Sequence, residues 1–209
     1  MAIYQIIQQF FTDIQKTSIL EYIAVLAGIV SVWYSSKENV WVYPVGLVNT
    51  IIFIYLSYRG GLIGEASVNI YYSIMSIIGW RMWAKKDAHT HTPTLKVSFA
   101  NAREWLTHIL FFLFFFTLLF FILTYLKLNF AKNAIPWADA FASATAFTGM
   151  WLMAKKKVES WYWWIATNLA SIPLYFVKHY VFTSVYYILL LVMAFWGLAL
   201  WAKKAKANK

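Results

Sequence analysis

The sequence of 209 residues contains no cysteine and few charged residues. Without cysteine the chain can form neither a disulfide bond nor a thiolate nucleophile or a cysteine-bound metal site. Only 12% of the residues are charged and 62% are hydrophobic, a balance that a soluble domain of this length cannot keep out of water. Apolar runs of about twenty residues recur along the chain. The composition therefore predicts an all-α integral membrane protein.

Acidic side chains are also scarce, and none falls in the middle of a predicted span. All eight lie near a helix end or outside the helices: Asp13, Glu21, Glu38, Glu65, Asp87, Glu104, Asp139 and Glu159. An ionisable group at mid-membrane is costly and is usually retained for a function such as proton relay. Their placement therefore favours a passive path over a proton-coupled one.

Groups that perform catalysis or bind metals are missing as well. His89 and His91 lie in a loop, whereas His108 and His179 stand alone, so no catalytic set or metal-ligand spacing is formed. We therefore predict that the protein is not an enzyme and has neither a metal site nor a cofactor.

Seven candidate spans follow a short N-terminal segment. Residues 1–18 place isoleucine and phenylalanine at helical spacing among glutamines, which is typical of an amphipathic helix lying on the membrane. The spans are predicted at 19–36, 40–58, 65–84, 105–126, 136–154, 159–177 and 182–202. They divide the chain into a first three-helix bundle (19–84), a loop and linker helix (85–126), a second three-helix bundle (136–202) and a basic tail (203–209).

The two bundles share a sequence repeat. Gly79 and Gly197 are 118 residues apart and begin the matching stretches GWRMWAKK and GLALWAKK. Trp41 and Trp161 are 120 apart, which we interpret as a two-residue insertion. Three-helix units separated by a single helix must point the same way across the membrane. The seven spans are thus predicted to form two parallel repeats around a linker helix, a 3+1+3 arrangement.

The basic residues orient this arrangement. The C-terminus and the loops on its side hold twelve of the eighteen lysine and arginine residues, the other side holds five, and Arg81 lies within the third span. The positive-inside rule then places the C-terminus in the cytoplasm and the N-terminus outside. The net charge of +10 is explained by membrane orientation, and no nucleic-acid partner is predicted.

The stretch WYWWIATN, residues 161–168, contains a candidate binding wall. Trp164 and Asn168 are one helical turn apart and share a face. An indole stacks on aromatic or cationic rings, and an asparagine amide both donates and accepts hydrogen bonds. The pair suits a neutral or cationic ring carrying hydroxyl or amide groups, whereas a phosphate would require arginine or lysine. Trp161 is interpreted as interfacial, and Trp163 as a packing or lipid-facing residue.

Neutral polar side chains also occur within the first bundle, at Asn49, Asn69 and Tyr72. An amide is unfavourable in lipid, so each should face another helix or a cavity. Two interpretations stay open. A central cavity lined by Asn49, Asn69, Trp164 and Asn168 would indicate a transporter, whereas hydrogen bonds across a closed interface would indicate a membrane scaffold.

Three stretches, ENVWVYPVGLVN, VNIYYSIMSIIGWRMW and AKKKVESWYWWIATNLASIPLYF, resemble the PnuC family of bacterial vitamin-precursor transporters. The resemblance extends over residues 20–204. It implies a SWEET-like fold and a homotrimer in the bacterial inner membrane. It further implies uptake of nicotinamide riboside by facilitated diffusion, with cytoplasmic phosphorylation trapping the product for NAD synthesis. Thiamine is the nearest alternative substrate, and some relatives carry riboflavin.

The resemblance also implies a binding site. In the family, the nicotinamide ring lies against a tryptophan that is followed one turn later by an asparagine, and these positions match Trp164 and Asn168. Polar residues of the second and third spans complete the family site, and they match Asn49, Asn69 and Tyr72.

Overall fold

The computed structural model describes residues 3–59, 63–86, 92–129 and 135–208, which form eight helices and no strand. The helices are α1 (Ile3–Lys16), α2 (Ile19–Ser36), α3 (Val42–Arg59), α4 (Ile63–Ala84), α5 (Ala102–Asn129), α6 (Pro136–Ala154), α7 (Ser160–Val177) and α8 (Val181–Ala207). Length and composition make α2, α5 and α8 capable of crossing a membrane. The prediction of an all-α fold is confirmed for the described residues.

Helix α8 continues past the predicted end of the last span. Trp201 and Ala205 on this helix are both buried, and the Asn208 side chain donates a hydrogen bond of 3.1 Å to the Val97 carbonyl. These contacts keep the lysine-rich segment helical up to Ala207. The segment predicted as a basic tail therefore begins as the last turn of α8.

The helices pack in two groups of three. Helices α2, α3 and α4 pack in sequence order, as do α6, α7 and α8, and the groups meet where α4 contacts α6 and α2 contacts α8. Helix α5 covers α6 with aromatic rings, including a stacked Phe111–Trp151 pair at 4.5 Å between centroids. Its opposite face is exposed at Phe114 and Phe121. The linker helix therefore packs on the second group with one face and leaves an apolar face exposed.

Helix α1 is attached to the start of α8. The Asp13 carboxylate accepts a hydrogen bond of 3.2 Å from the Phe182 N–H, and the Phe10 and Phe182 rings lie 6.3 Å apart. Tyr4 and Phe11 remain exposed on the other face. The helix therefore has one face packed on protein and one apolar face free for lipid, as an amphipathic surface helix requires.

The turns that follow α2 and α6 have the same backbone geometry. Each contains a residue with positive φ, Glu38 at 54° and Lys156 at 52°. In each turn, the next residue donates its N–H to the carbonyl five positions earlier at 3.0 Å. This is the bond of a Schellman motif, which satisfies the free carbonyls at a helix C-terminus. The two turns are 118 residues apart, the repeat spacing found in the sequence.

Side-chain packing repeats at the same spacing. The Tyr43 ring contacts Trp83 edge to face at 5.1 Å and 84°, and Trp161 contacts Trp201 at 5.6 Å and 88°. Both pairs belong to the main buried cluster. This cluster lies at the end of the molecule that contains the C-terminus and the loops after α2, α4 and α6, which we call the basic end.

Glycine makes this packing possible in both groups. Gly79 lies under the Tyr43 ring and Gly197 under the Trp161 ring, so closely that a methyl group at either would overlap ring atoms. Trp161 therefore corresponds to Tyr43 and not to Trp41, and the proposed two-residue insertion is wrong. The interfacial interpretation of Trp161 is also wrong, because its side chain is only 1% exposed and is enclosed by α8.

Candidate substrate-binding site

Trp164 and Tyr72 come together where the two helix groups meet. The Trp164 indole lies against α6 at Gly149, where a Cβ atom would be 3.2 Å from the ring. Its centroid is 6.3 Å from the Tyr72 ring on α4, with the planes tilted by 48°. Phe147 of α6 contacts Tyr72 edge to face at 6.1 Å. The structure thus places one predicted residue from each group in a shared aromatic patch.

Asn168 differs from its polar neighbours because its side chain is only 3% exposed yet donates or accepts no hydrogen bond with any residue that the structure describes. The adjacent Thr167 hydroxyl, by contrast, donates to the Trp163 carbonyl at 2.9 Å. The described side chains with fully enclosed and unpaired polar atoms are Tyr43, His108, Glu159, Trp161 and Trp163. Asn168 is not among them, so its amide is not fully enclosed. A buried amide without a partner is costly, which makes Asn168 a candidate for contact with a ligand.

Asn49 and Asn69 are held by carbonyl groups of their own helix group. Asn49 Nδ2 donates to the Ala24 carbonyl of α2 at 2.7 Å, and Asn69 Nδ2 donates to the Glu65 carbonyl of its own helix at 2.9 Å. The bond of Asn49 joins two helices, as expected for a packing contact. The bond of Asn69 is local and leaves the residue partly exposed.

A tyrosine cluster next to Ser171 on α7 was missed by the sequence analysis. The rings of Tyr175 and Tyr187 stack at 5.2 Å with an interplanar angle of 14°. The Tyr187 hydroxyl is hydrogen-bonded with the hydroxyls of Tyr175 and Ser171. Ser171 lies almost one turn after Asn168 on α7. The repeat could have identified this cluster, since Tyr187 stands 118 residues after Asn69.

The repeat also shows that only the second helix group carries a tryptophan at the position of Trp164. Trp164 and Gly149 correspond, at a spacing of 118, to Gly46 and Ser31. In the first group a Cβ atom at Gly46 would be 3.1 Å from the Ser31 hydroxyl oxygen, so the glycine of the pair lies on α3, the counterpart of α7. The second group therefore provides a flat ring where the first provides only backbone.

The other candidates lie elsewhere or belong to packing. Trp163 packs against Phe112 of α5 at 5.1 Å, as predicted for a packing residue. His89 and His91 lie outside the described residues, and no group of three potential metal ligands occurs among those described. Two surface cavities of about 220 and 200 Å³ lie at the two ends of the molecule, and none of the five predicted site residues lines either one.

Comparison with known proteins agrees with the transporter motifs. Residues 18–203 match the nicotinamide mononucleotide transporter family. The nicotinamide riboside transporter PnuC of Escherichia coli is 22% identical over 207 residues, covering 90% of this chain and 86% of the relative. The PnuC of Neisseria mucosa is 26% identical over 200 residues, covering 90% and 74%. The riboflavin/roseoflavin transporter RibM of Streptomyces davaonensis is 22% identical over 186 residues, covering 88% and 84%.

The fold is shared with a solved structure. The crystal structure of the vitamin B3 transporter PnuC superposes with a TM-score of 0.74 at 22% identity, covering 98% of this chain and 89% of the other. Together with the family match over nearly the whole length, this confirms the resemblance found in the sequence motifs. The chain belongs to the nicotinamide mononucleotide transporter family, which includes the PnuC transporters.

Proposed function

We propose that this protein takes up nicotinamide riboside by facilitated diffusion. The observation that carries the proposal is the nearly buried Asn168 amide, which has no partner among the described residues and shares a helix face with Trp164. A carboxamide on an aromatic ring complements this pair, because the amide can pair with the carboxamide while the indole stacks on the ring. The relatives named as nicotinamide riboside transporters support the same substrate.

The charge of the candidate site favours the riboside over its phosphate. The pyridinium ring of the riboside is cationic, and an indole face attracts a cationic ring. The hydroxyls of Ser171, Tyr175 and Tyr187 offer hydrogen bonds to ribose. A phosphate would be expected to bind arginine or lysine, and the described lysines of the second group lie at its two ends. As the family resemblance implies, cytoplasmic phosphorylation then traps the riboside for NAD synthesis.

The same proposal includes a membrane arrangement. Helices α2–α8 are the seven spans of a SWEET-like 3+1+3 fold, and the recurrence of turns and aromatic pairs at 118 residues supports two parallel repeats. The accumulation of lysine at the basic end supports a cytoplasmic C-terminus and an outer N-terminus. The protein works as a homotrimer in the bacterial inner membrane, as the family resemblance implies.

A flavin is the second candidate substrate. RibM, named as a riboflavin and roseoflavin transporter, matches 88% of this chain at the same 22% identity as one of the PnuC proteins. Aromatic walls also suit an isoalloxazine ring. Thiamine remains the alternative that the sequence suggests, because its thiazolium ring is cationic. A scaffold is disfavoured, since packing alone gives Asn168 no hydrogen-bond partner among the described residues.

Titration calorimetry with the purified protein in detergent tests the proposal. Nicotinamide riboside, its 5′-phosphate, thiamine and riboflavin are titrated in parallel. Binding of the riboside but not of its phosphate supports the proposal. Binding of riboflavin or thiamine instead would identify that vitamin as the substrate. Binding of none of the four would contradict a transporter of these vitamins. In proteoliposomes, riboside uptake should stop at equal concentrations and should not respond to proton ionophores. Accumulation above equilibrium would refute facilitated diffusion.

A further inference from the structure

Two tryptophan side chains tie the helix groups together at the basic end. The Trp83 indole N–H of α4 donates to the Ala154 carbonyl at the end of α6 at 3.1 Å. The Trp201 indole N–H of α8 donates to the Ser35 carbonyl at the end of α2 at 3.0 Å. Each tryptophan thus donates to a carbonyl at the end of a helix in the other group. Separation of the groups at this end would break both bonds together.

Two further contacts join residues that are related by the repeat itself. The Ser35 hydroxyl contacts the Met153 sulfur at 2.9 Å, and Lys156 Nζ lies 3.5 Å from the Glu38 carboxylate. Each pair is separated by 118 residues. When a position touches its own equivalent in a twofold-related unit, the contact lies on the axis that relates the units. Both contacts therefore mark the pseudo-twofold axis of the two groups.

The ion pair on this axis is well enclosed. The side chains of Glu38 and Lys156 are 10% and 6% exposed, so solvent and salt screen their attraction only weakly. Lys204 of α8 adds a second contact of 2.7 Å to the Glu38 carboxylate. The Lys156 ammonium also lies over the Trp83 ring, 4.7 Å from the centroid. Burial lowers the pKa of Lys156, and the Glu38 carboxylate opposes that shift.

The opposite end has a different pattern of ion pairing. The Asp139–Lys178 pair joins α6 to the residue after α7, so both partners belong to the second group. At the basic end the Glu38–Lys156 pair crosses between the groups. The described ion pairs therefore oppose separation of the groups at the basic end. At the other end, no described ion pair joins the two groups.

We propose that the Glu38–Lys156 ion pair is a latch that holds the basic end closed and must break each time substrate leaves on that side. The proposal rests on the transport function inferred above. The state seen in the structure is the one closed at the basic end, with Tyr43 and Trp161 packed on glycines behind the latch. The Trp83 and Trp201 hydrogen bonds open in the same movement.

A thiol reporter tests the latch directly. The chain has no cysteine, so Ser76→Cys introduces a single thiol. Ser76 is 3% exposed and lies on α4 almost one turn before Gly79, on the side away from the basic end. A charged, membrane-impermeant maleimide is applied to vesicles that expose the basic end. The rate of labelling then measures how often that end opens.

Latch variants are compared with a matched control in the Ser76→Cys background. Glu38→Gln should increase the labelling rate about tenfold, within the usual range of conformational coupling. Lys156→Met should increase it by a smaller factor, because Lys204 still pairs with Glu38. Lys157→Met is the control, because the neighbouring Lys157 pairs with Glu104 of α5 at 2.8 Å and does not join the two groups. Its labelling rate should stay at that of the unmodified latch.

Either of two results would overturn the latch. One is unchanged labelling in both latch variants, and the other is an equal increase in Lys157→Met. If Lys156→Met does not fold, Glu38→Gln decides the outcome alone. Labelling requires no substrate, so the latch can fail while riboside binding stands, and binding can fail while the latch stands.

Discussion

Replacing Trp164 with alanine should weaken binding of nicotinamide riboside without disrupting the helix group that carries it. One face of the indole rests on α6 at Gly149, and its centroid lies 6.3 Å from the Tyr72 ring. The variant removes the flat surface that we expect to stack on the substrate, while Asn168 and the tyrosine cluster remain. The expected loss is therefore that of one stacking contact.

The size of this loss follows from the stacking of one ring. Removing an aromatic side chain that stacks on a ring costs about 1–3 kcal/mol, and a desolvated cation–π contact is worth about 2 kcal/mol. A loss of about 2 kcal/mol corresponds to a Kd about thirtyfold higher. Trp164→Phe keeps part of the π surface, so its Kd should rise by only about fivefold, or about 1 kcal/mol.

Titration calorimetry measures the Kd, and thermal unfolding reports whether each variant is folded. Trp163→Ala is the matched control, because it removes the same atoms one residue earlier but loses a contact with Phe112 on α5. We expect its unfolding temperature to fall and its Kd to stay unchanged. Equal weakening of binding in Trp163→Ala and Trp164→Ala, or normal binding by folded Trp164→Ala, would refute the assignment of the binding wall.

Three further substitutions test other parts of the structure. Asn168→Ala should raise the Kd for the riboside more than about tenfold. Its unfolding temperature should stay within about 2 °C of that of the unmodified protein, because the amide makes no hydrogen bond with the described residues. A large loss of thermal stability with normal calorimetric binding would show that Asn168 is a packing residue. Tyr187→Phe should raise the calorimetric Kd for the riboside about fivefold, because it removes one hydrogen bond worth about 1 kcal/mol. An unchanged Kd would show that the tyrosine cluster is not part of the site. Gly197→Val should lower the unfolding temperature by about 4–8 °C, since its methyl groups overlap the Trp161 ring, and an unchanged unfolding temperature would contradict the close packing.

The positions of the helices could be predicted because their signals are local. Helix α6 begins with Pro136 at its first turn, a position that favours proline because the missing N–H is not needed there. Its predicted and observed bounds agree. The end of α8 could not be predicted in this way, because lysine-rich sequence resembles a tail. Its helicity depends on distant contacts, namely the burial of Trp201 and the bond from Asn208 to Val97.

The candidate site was predictable only in part for the same reason. Trp164 and Asn168 are one turn apart on a single helix, so their common face follows from helical geometry. The burial of Trp161 depends on Gly197 in another helix, and local sequence places this tryptophan at the membrane surface. The role of Tyr187 requires the correct repeat register, which the structure shows to be 118 throughout, without the insertion inferred from Trp41.

The exchange of Trp164 and Gly149 for Gly46 and Ser31 has a consequence for how such a carrier can evolve. Two separate identical subunits would present the same groups from both sides, and a ligand without twofold symmetry could use only half of them at a time. A fused, duplicated chain is free of that restriction, since each half can mutate alone. Here the halves have kept matching packing at the basic end and have diverged beside Asn168. An asymmetric ligand such as a nucleoside can therefore keep one orientation throughout transport.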